Sequence, residues 1–343
     1  MLKQIMILLK TFFKRRNKNL TFILFVFLSL FALQQLKCQD IHLTSFNYSP
    51  LFINPANTGN FYGNWRAAVN FRNQSSATGT GYATAIASGD KLFTLFNHKI
   101  GAGLLLINDR TGGIEQSKVM LSGSYIYKLN DNYFSGGVQA GMVFSNPNAD
   151  WKIYDPLNDR TNLPNNELSD AQKSSYLDIN FGVLWWRSIG IFEPKAGIAL
   201  AHLNSPNKSI YGGTDKVPIT STLHGSLKSK ISDEIYVTPT FLFANSNGNI
   251  LSLIGADVGY KLLGNRSSVK EIFGGLYMRN GLASELNNLA FLIGTTVGRL
   301  DIALSYDLNF TDQRKNGTSF EISLIYRSIS TVLNSYSIPC ERF

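Results

Sequence analysis

The sequence predicts an all-β protein, a transmembrane antiparallel β-barrel of about 14 strands preceded by a cleaved signal peptide, and three observations lead there. Charged residues make up 16% of the 343, against roughly 25% in a typical soluble domain, while glycine (29 residues) and aromatics (12%) are plentiful. Beyond residue 63 the dominant hydrophobic period is two rather than 3.6, and no run is long enough for an apolar spanning helix. The alternating segments are about ten residues long, the length of a tilted strand crossing lipid, and only a closed barrel satisfies strand edges there.

In chain order, residues 1–38 hold Lys3, Lys10, Lys14, Arg15, Arg16, Lys18 and Lys37 and no acid. They contain Leu20 to Leu33 (LTFILFVFLSLFAL), an uncharged run of fourteen. A basic stretch followed by a short apolar one is the pattern of a secretory signal, and the run falls short of the ~20 residues of a membrane span. An uncleaved anchor helix is the competing reading. Cleavage is expected near Cys38, leaving Gln39 first; Lys37 stands where a lipoprotein cysteine would follow a small residue. Without residues 1–38 the chain has 25 basic and 23 acidic residues, a net of +2, so the overall +9 does not point to nucleic acid. Such an exported chain keeps one cysteine, Cys340, and its stability must come from strand closure rather than an internal disulfide.

Residues 39–63 read as an N-terminal periplasmic or plug segment, and 64–343 as the barrel. Strands are predicted near 64–72, 81–88, 99–108, 117–129, 133–144, 176–187, 192–202, 221–230, 235–245, 249–262, 271–280, 288–298, 299–308 and 318–326. In the first, Trp65, Ala67, Val69 and Phe71 alternate with Arg66, Ala68, Asn70 and Arg72. Later, Leu300, Ile302, Leu304, Tyr306 and Leu308 face away from Arg299, Asp301, Ser305 and Asp307. One face is apolar and the other small or polar, as in a narrow or plugged lumen. A large soluble sandwich or barrel has the same period, but its outer face is usually rich in Lys, Glu and Thr. Tight turns at Leu129–Tyr133 and Ile231–Ile235 contrast with a thirty-residue loop, Asn146 to Ser175. Short turns are expected to face the periplasm and long loops the outside. The long loop is either a solvated connection or an ordered, partner-contacting cap.

No chemistry emerges. His42, His98, His202 and His224 lie far apart with no metal-ligand spacing. The GTG and GAG glycines (Gly79, Gly81, Gly101, Gly103) open no helix and read as relief of crowding inside a barrel rather than a phosphate loop. A barrel hydrolase would need a Ser joined to His202 or His224, and Ser and Asn are too common here to single one out. No cofactor and no catalysis are expected.

The stretch QDIHLTSFNYSPLFINPANTGNFYGNWRAAVNFRNQ closely resembles the opening of the PorP/SprF family of type IX secretion system membrane proteins. It carries Asn54, Pro55, Ala56 and Gly59, then Phe71, Arg72, Asn73 and Gln74. Asn54 and Pro55 read as a turn with φ fixed by proline, Ala56 permits close approach, and Gly59 supplies a bend before the first strand. Gly197, Ala199, His202, Leu203 and Pro206 resemble the family's mid-chain segment; Ser305, Tyr306, Asp307, Glu321, Ile322, Ser323 and Tyr326 its last two strands. Pro339, Cys340, Glu341, Arg342 and Phe343 resemble its terminus. Ile41, Ser75 and Glu341 depart from the pattern.

The resemblance implies a non-enzymatic barrel in the outer membrane of Bacteroidota-type bacteria. Its partners would be type IX secretion components and a secreted cargo protein with a C-terminal sorting domain, in some members a gliding adhesin. Two other readings stay open: a passive or selective pore, with Arg66, Arg72, Asp178, Asp257, Lys261, Arg299 and Asp301 as lumen-facing candidates, and a scaffold for a periplasmic ring. Arg72, Gln74, His202, Tyr306, Asp307, Glu321 and Arg342 are expected to make inward or periplasmic structural contacts.

Overall fold

The computed structural model describes residues 41–74, 82–96, 98–147, 152–155, 160–164, 171–262, 268–281, 284–309 and 319–328. Its strands are β1 (Trp65–Gln74), β2 (Tyr82–Leu95), β3 (His98–Thr111), β4 (Ile114–Leu129), β5 (Asn132–Pro147), β6 (Lys152–Asp155), β7 (Arg160–Pro164) and β8 (Ser174–Arg187). There follow β9 (Phe192–Ala201), β10 (Thr220–Lys230), β11 (Ile235–Ser246), β12 (Asn249–Lys261), β13 (Val269–Gly281), β14 (Ser284–Val297), β15 (Leu300–Asn309) and β16 (Ser319–Ser328). Fourteen of them form one closed antiparallel barrel, each pairing with its neighbour in order, with β5 joined directly to β8. Closure is made by β1 on β16 in unbroken register, from Trp65 opposite Ser328 to Gln74 opposite Ser319. The segment between β5 and β8 differs from a plain loop, because β6 and β7 pair there as a separate two-stranded ribbon.

Period two sets the two faces. Trp65, Val69 and Phe71 on β1, and Phe134, Val138, Met142 and Phe144 on β5, point outward and are exposed, as a lipid-facing band requires. The inward face is more apolar than the alternation suggested. In β3, Leu104 and Leu106 point out while Leu105 and Ile107 point in and are buried. Met120, Leu253 and Leu292 interrupt outward rows in the same way, so these strands are buried on the lumen side and greasy on the other. A continuous apolar run is the expected signature of a strand with two apolar faces.

The ends of the barrel are unequal. At one end, short connections at 96–97, 130–131, 188–191, 231–234 and 298–299 accompany the start of β1 and the end of β16. That end also carries the seven-residue connection 262–268, while at the other lie the longest connections, 148–173 and 202–219, beside two-residue ones at 112–113, 247–248 and 282–283. The second is ordered: Val217 is buried with Val143 and Tyr176, and the Gln172 amide donates to the Ile210 carbonyl at 2.7 Å. β4 and β5, sixteen residues each, are longer than lipid alone requires.

Candidate functional site

The lumen is occupied by the chain's own residues 41–63. Proline sets the local form of this segment: Pro50 begins a four-residue helix, α1 (Pro50–Ile53), and Pro55 begins a 3-10 turn (Pro55–Asn57), each in the first-turn place where a missing N–H costs nothing. A further 3-10 turn covers Phe46–Tyr48. Phe46, Leu51, Asn54, Ala56, Thr58 and Asn60 are all buried, and Leu51 and Asn54 are wholly shielded. Phe46, Tyr48 and Leu51 join the inward residues Ile86, Leu105, Met120 and Leu253 in one apolar cluster, at ~1.5–3 kcal/mol per large side chain removed from water.

At mid-height the wall accepts the Asn54–Pro55–Ala56 turn. The Asn54 Oδ1 accepts from the Ala56 amide at 2.8 Å, closing an Asx-type turn. Its Nδ2 shares two hydrogens among the Val183 carbonyl (3.1 Å), the Ile198 carbonyl (3.2 Å) and Nε2 of His224 (3.1 Å). Since an amide nitrogen only donates, His224 accepts at Nε2 and carries its proton on Nδ1. The turn fits because the facing wall residues lack side chains. A Cβ on Gly137 would meet the Ala56 nitrogen at 2.5 Å, one on Gly197 the Asn54 Nδ2 at 2.9 Å, and one on Gly182 the Asn54 Oδ1. Gly101 and Gly103 likewise face Thr58 and Leu51, so the GAG glycines make room for the plug.

Each end of the segment is held by buried ions. Toward the short-turn end, Arg66 grips Asp90 bidentately (Nε 2.9 Å, Nη2 2.8 Å). Arg66 also donates to the Asn57 carbonyl at 3.0 Å and lies 4.8 Å above the Phe61 ring. Asp90 in turn accepts the Gly59 amide at 2.7 Å, and Gly59 has φ +72°, a conformation that favours glycine. Toward the long-loop end, Glu321 accepts the Thr44 amide (2.7 Å), the Ser45 amide (2.9 Å), the Ser45 hydroxyl and Arg72. Asp307 bridges Arg72 (3.1 Å) and Arg279 (3.2 Å) and accepts the Thr44 hydroxyl at 2.8 Å. Two arginines and two carboxylates thus balance around the backbone of Thr44 and Ser45.

Of the residues singled out by sequence, Asn54, Pro55, Ala56, Gly59, Arg72, Asp307 and Glu321 are all buried in the lumen, but at three levels: Arg72, Asp307 and Glu321 toward the long-loop end, the Asn54–Ala56 turn at mid-height, and Gly59 toward the short-turn end. Gln74 is half-buried at the end of β1, and Ser305 is buried on the inward face of β15. His202 sits apart. It takes φ +60° where β9 leaves the barrel, and its Nδ1 lies 2.9 Å from Asp178 Oδ1, tying the 202–219 connection to β8. Tyr306 does not face the lumen: it is 45% exposed on the outer face beside Leu304, as its place in the alternation requires. Cys340, Arg342 and Phe343 lie outside the described residues, as do residues 1–40, on which the expected signal peptide falls, and the side chains of β6 and β7.

Among the pore candidates, Arg66, Arg72 and Asp301 are engaged in buried ion pairs, Asp301 with Arg327, and Asp178 lies within hydrogen-bonding distance of His202. Asp257 accepts from the Tyr277 hydroxyl at 2.6 Å, Lys261 is half-buried, and Arg299 is exposed in the β14–β15 turn. Sequence reasoning missed Thr44, Ser45, Asp90 and Arg279, although period two marks the last two as inward. Among the described residues no group of three or more His, Cys, Asp or Glu could hold a metal ion.

A family model described as "Type IX secretion system membrane protein PorP/SprF" matches residues 35–326. Comparison with curated proteins gives no match. Among solved structures, the chain is similar to the CymD monoaromatic hydrocarbon channel, with a TM-score of 0.51 and 9% identity over 82% of this chain and 93% of that one. It is also similar to a Pseudomonas aeruginosa FadL homologue, at 0.46 and 12% over 81% and 94%. At such identities the first likeness speaks for the barrel fold alone, and the second is too distant to carry an argument.

Proposed function

From the premise that the chain belongs to the PorP/SprF family of type IX secretion system membrane proteins, we propose that it is a non-enzymatic, plugged outer-membrane barrel. In this reading it supports secretion or surface anchoring of a cargo protein that carries a C-terminal sorting domain. The observation that carries the reading is the filled lumen. A barrel whose interior is tied to its own residues 41–63 at both ends is built to stay closed, so its work is done by surfaces. A passive pore is disfavoured for the same reason, since Arg66 and Arg72, two of the candidate lining charges, hold the plug and Asp301 is paired with Arg327.

The surfaces on offer follow from the unequal ends. Short turns face the periplasm and the secretion apparatus; the 148–173 and 202–219 connections face outward and grip the cargo. Crosslinking the tagged protein in native outer membranes, followed by mass spectrometry, tests this. Recovery of a large secreted protein or of secretion-ring components is expected. Replacing 148–173 by a two-residue turn should abolish cargo retention while the barrel still inserts; retention at the wild-type level would overturn the assignment of that loop.

A further inference from the structure

The short-turn mouth carries a surplus of positive charge on its inner wall. Arg66, Lys230 and Arg327 pair there with Asp90, Glu193 and Asp301. Apart from these pairs, the inward positions within four residues of the strand ends hold Lys99, Lys128, Lys195, Lys228 and Lys261 against Glu271, a net of +4 among the described residues. Four inward side chains form one row: register sets Lys128 opposite Tyr133, Tyr133 opposite Trp186 and Trp186 opposite Lys195, across β4, β5, β8 and β9. The Tyr133 and Trp186 rings stack at 5.4 Å with 10° between their planes, and the Lys128 ammonium lies 5.4 Å from the Tyr133 ring centre. The Trp186 Nε1 hydrogen has no acceptor among the described residues although the side chain is buried, a cost that an arriving acceptor removes. Beside Lys195, a cavity of about 40 Å³ lies between plug and wall, lined by Arg66, Arg327, Asn57, Tyr62 and Ser226 and by no Asp or Glu among the described residues.

We infer, resting on the orientation proposed above, that this mouth is a socket for an acidic peptide segment of a periplasmic partner, whose carboxylates meet Lys128 and Lys195 on either side of the stacked rings. Three features choose the occupant. Lys128 and Lys195 are three strand spacings apart, about 14 Å. One small anion cannot span that distance, whereas carboxylates four residues apart on an extended chain do, at ~3.3–3.6 Å per residue. The lysines face the lumen, away from the lipid headgroups that surround the outer wall. Turn tips on the same rim are apolar: Phe96 is 87% exposed, Ile231 65% and Ile191 52%. A polypeptide therefore finds a greasy rim around a cationic centre, and charge complementarity sets which polypeptide it accepts. Above the mouth the Gly59 stretch of the plug is tied to Asp90, so the segment stops at the vestibule.

The first test uses the purified full-length protein in detergent with fluorescein-labelled octaglutamate, and octalysine as control, read by fluorescence polarisation. Octaglutamate should bind, more weakly at high salt, and octalysine should not. Lys128→Glu, at an exposed position, and Lys195→Glu should each weaken binding ~10-fold. Lys91→Glu and Arg110→Glu make the same charge change on the outer wall and should leave it within ~2-fold of wild type. No binding overturns the inference; so does equal loss in both sets, because affinity would then follow net charge alone, and so does loss confined to the outer wall, which would put the surface toward lipid. This assay involves neither membrane orientation nor secretion, so its failure leaves the proposed function standing. The second test places a photocrosslinking residue at Tyr62, exposed beside the cavity, in native cells. An adduct with a periplasmic protein that disappears in Lys128→Glu is expected. An adduct indifferent to Lys128→Glu overturns acidic recognition, and an adduct with a secreted cargo protein overturns the orientation on which the socket depends.

Discussion

Gly136 and Gly137 are adjacent on β5, yet the structure assigns them opposite sensitivities. A Cβ built on Gly136 meets nothing within 4 Å, because it points into lipid. A Cβ on Gly137 would lie 2.5 Å from the Ala56 nitrogen, about 0.9 Å inside the 3.4 Å where ordinary contact begins. Backbone is on both sides of that clash, so relief requires the Asn54–Ala56 turn to retreat. A retreat of that size stretches the Asn54 bonds to Val183 and Ile198, now 3.1 and 3.2 Å, past hydrogen-bonding distance. Overpacking costs ~1–3 kcal/mol and each lost bond ~1 kcal/mol, so Gly137→Ala should cost about 3 kcal/mol. That is roughly a 100-fold shift from seated to released plug. Gly136→Ala should change stability by no more than about 0.5 kcal/mol in either direction. The assay is protease cleavage of residues 41–63 in purified protein, with planar-bilayer conductance beside it. Gly137→Ala should be cut faster and show open events, whereas Gly136→Ala should match wild type. Equal cleavage and no conductance in both variants would refute the claim that wall glycines seat the plug.

Other expectations follow from the same contacts. Glu321→Ala leaves Arg72 with Asp307 and the Thr44 hydroxyl and strips acceptors from two buried amides; plug protection should fall by ~3–5 kcal/mol, read by hydrogen exchange at Thr44 and Ser45. In a double-mutant cycle, adding Arg72→Ala should cost far less than in the wild type, and simple additivity would argue against a coupled cluster. His202→Ala removes the tie to Asp178 and should speed proteolysis within 202–219 while the melting of the barrel stays near wild type. Arg66→Lys loses the bidentate grip on Asp90 and should loosen the Asn57–Gly59 stretch measurably, because a lysine cannot reproduce the fork.

The barrel was legible because a strand exposed to lipid on one side writes period two into the sequence. Trp65 to Arg72 and Phe134 to Phe144 could be read residue by residue, and the tight turn at Leu129–Tyr133 is realised with Asn130 at φ +54°. Runs such as Leu104–Ile107 were opaque in one respect: they gave no sign that the inward residues pack on a plug, since apolar out and apolar in look alike. The site was legible only as a motif. Asn54, Pro55 and Gly59 announced a turn, but nothing in one sequence says that Asn54 meets His224, 170 residues on, or that Thr44 meets Asp307, 263 residues on. The ribbon of β6 and β7 was hidden because its two strands, of four and five residues, are too short for periodicity to register.

The chemistry of the plug contacts bears on why the interior is closed this way. An apolar plug would bind an apolar lumen tightly but without fixed register, because burial is non-directional. Here the apolar residues Phe46, Tyr48 and Leu51 supply attraction, while Glu321 against two consecutive amides and Asp90 against Gly59 each admit one alignment. Buried ion pairs are poor sources of net stability and better suited to specifying an arrangement. The glycines at 101, 137, 182 and 197 add a steric condition, since a Cβ at any of them would collide with Thr58, Pro55 and Ala56, or Asn54 as now seated. An interior so specified has no slack for a passing polypeptide, which is why the proposed contacts with partners are assigned to the rims.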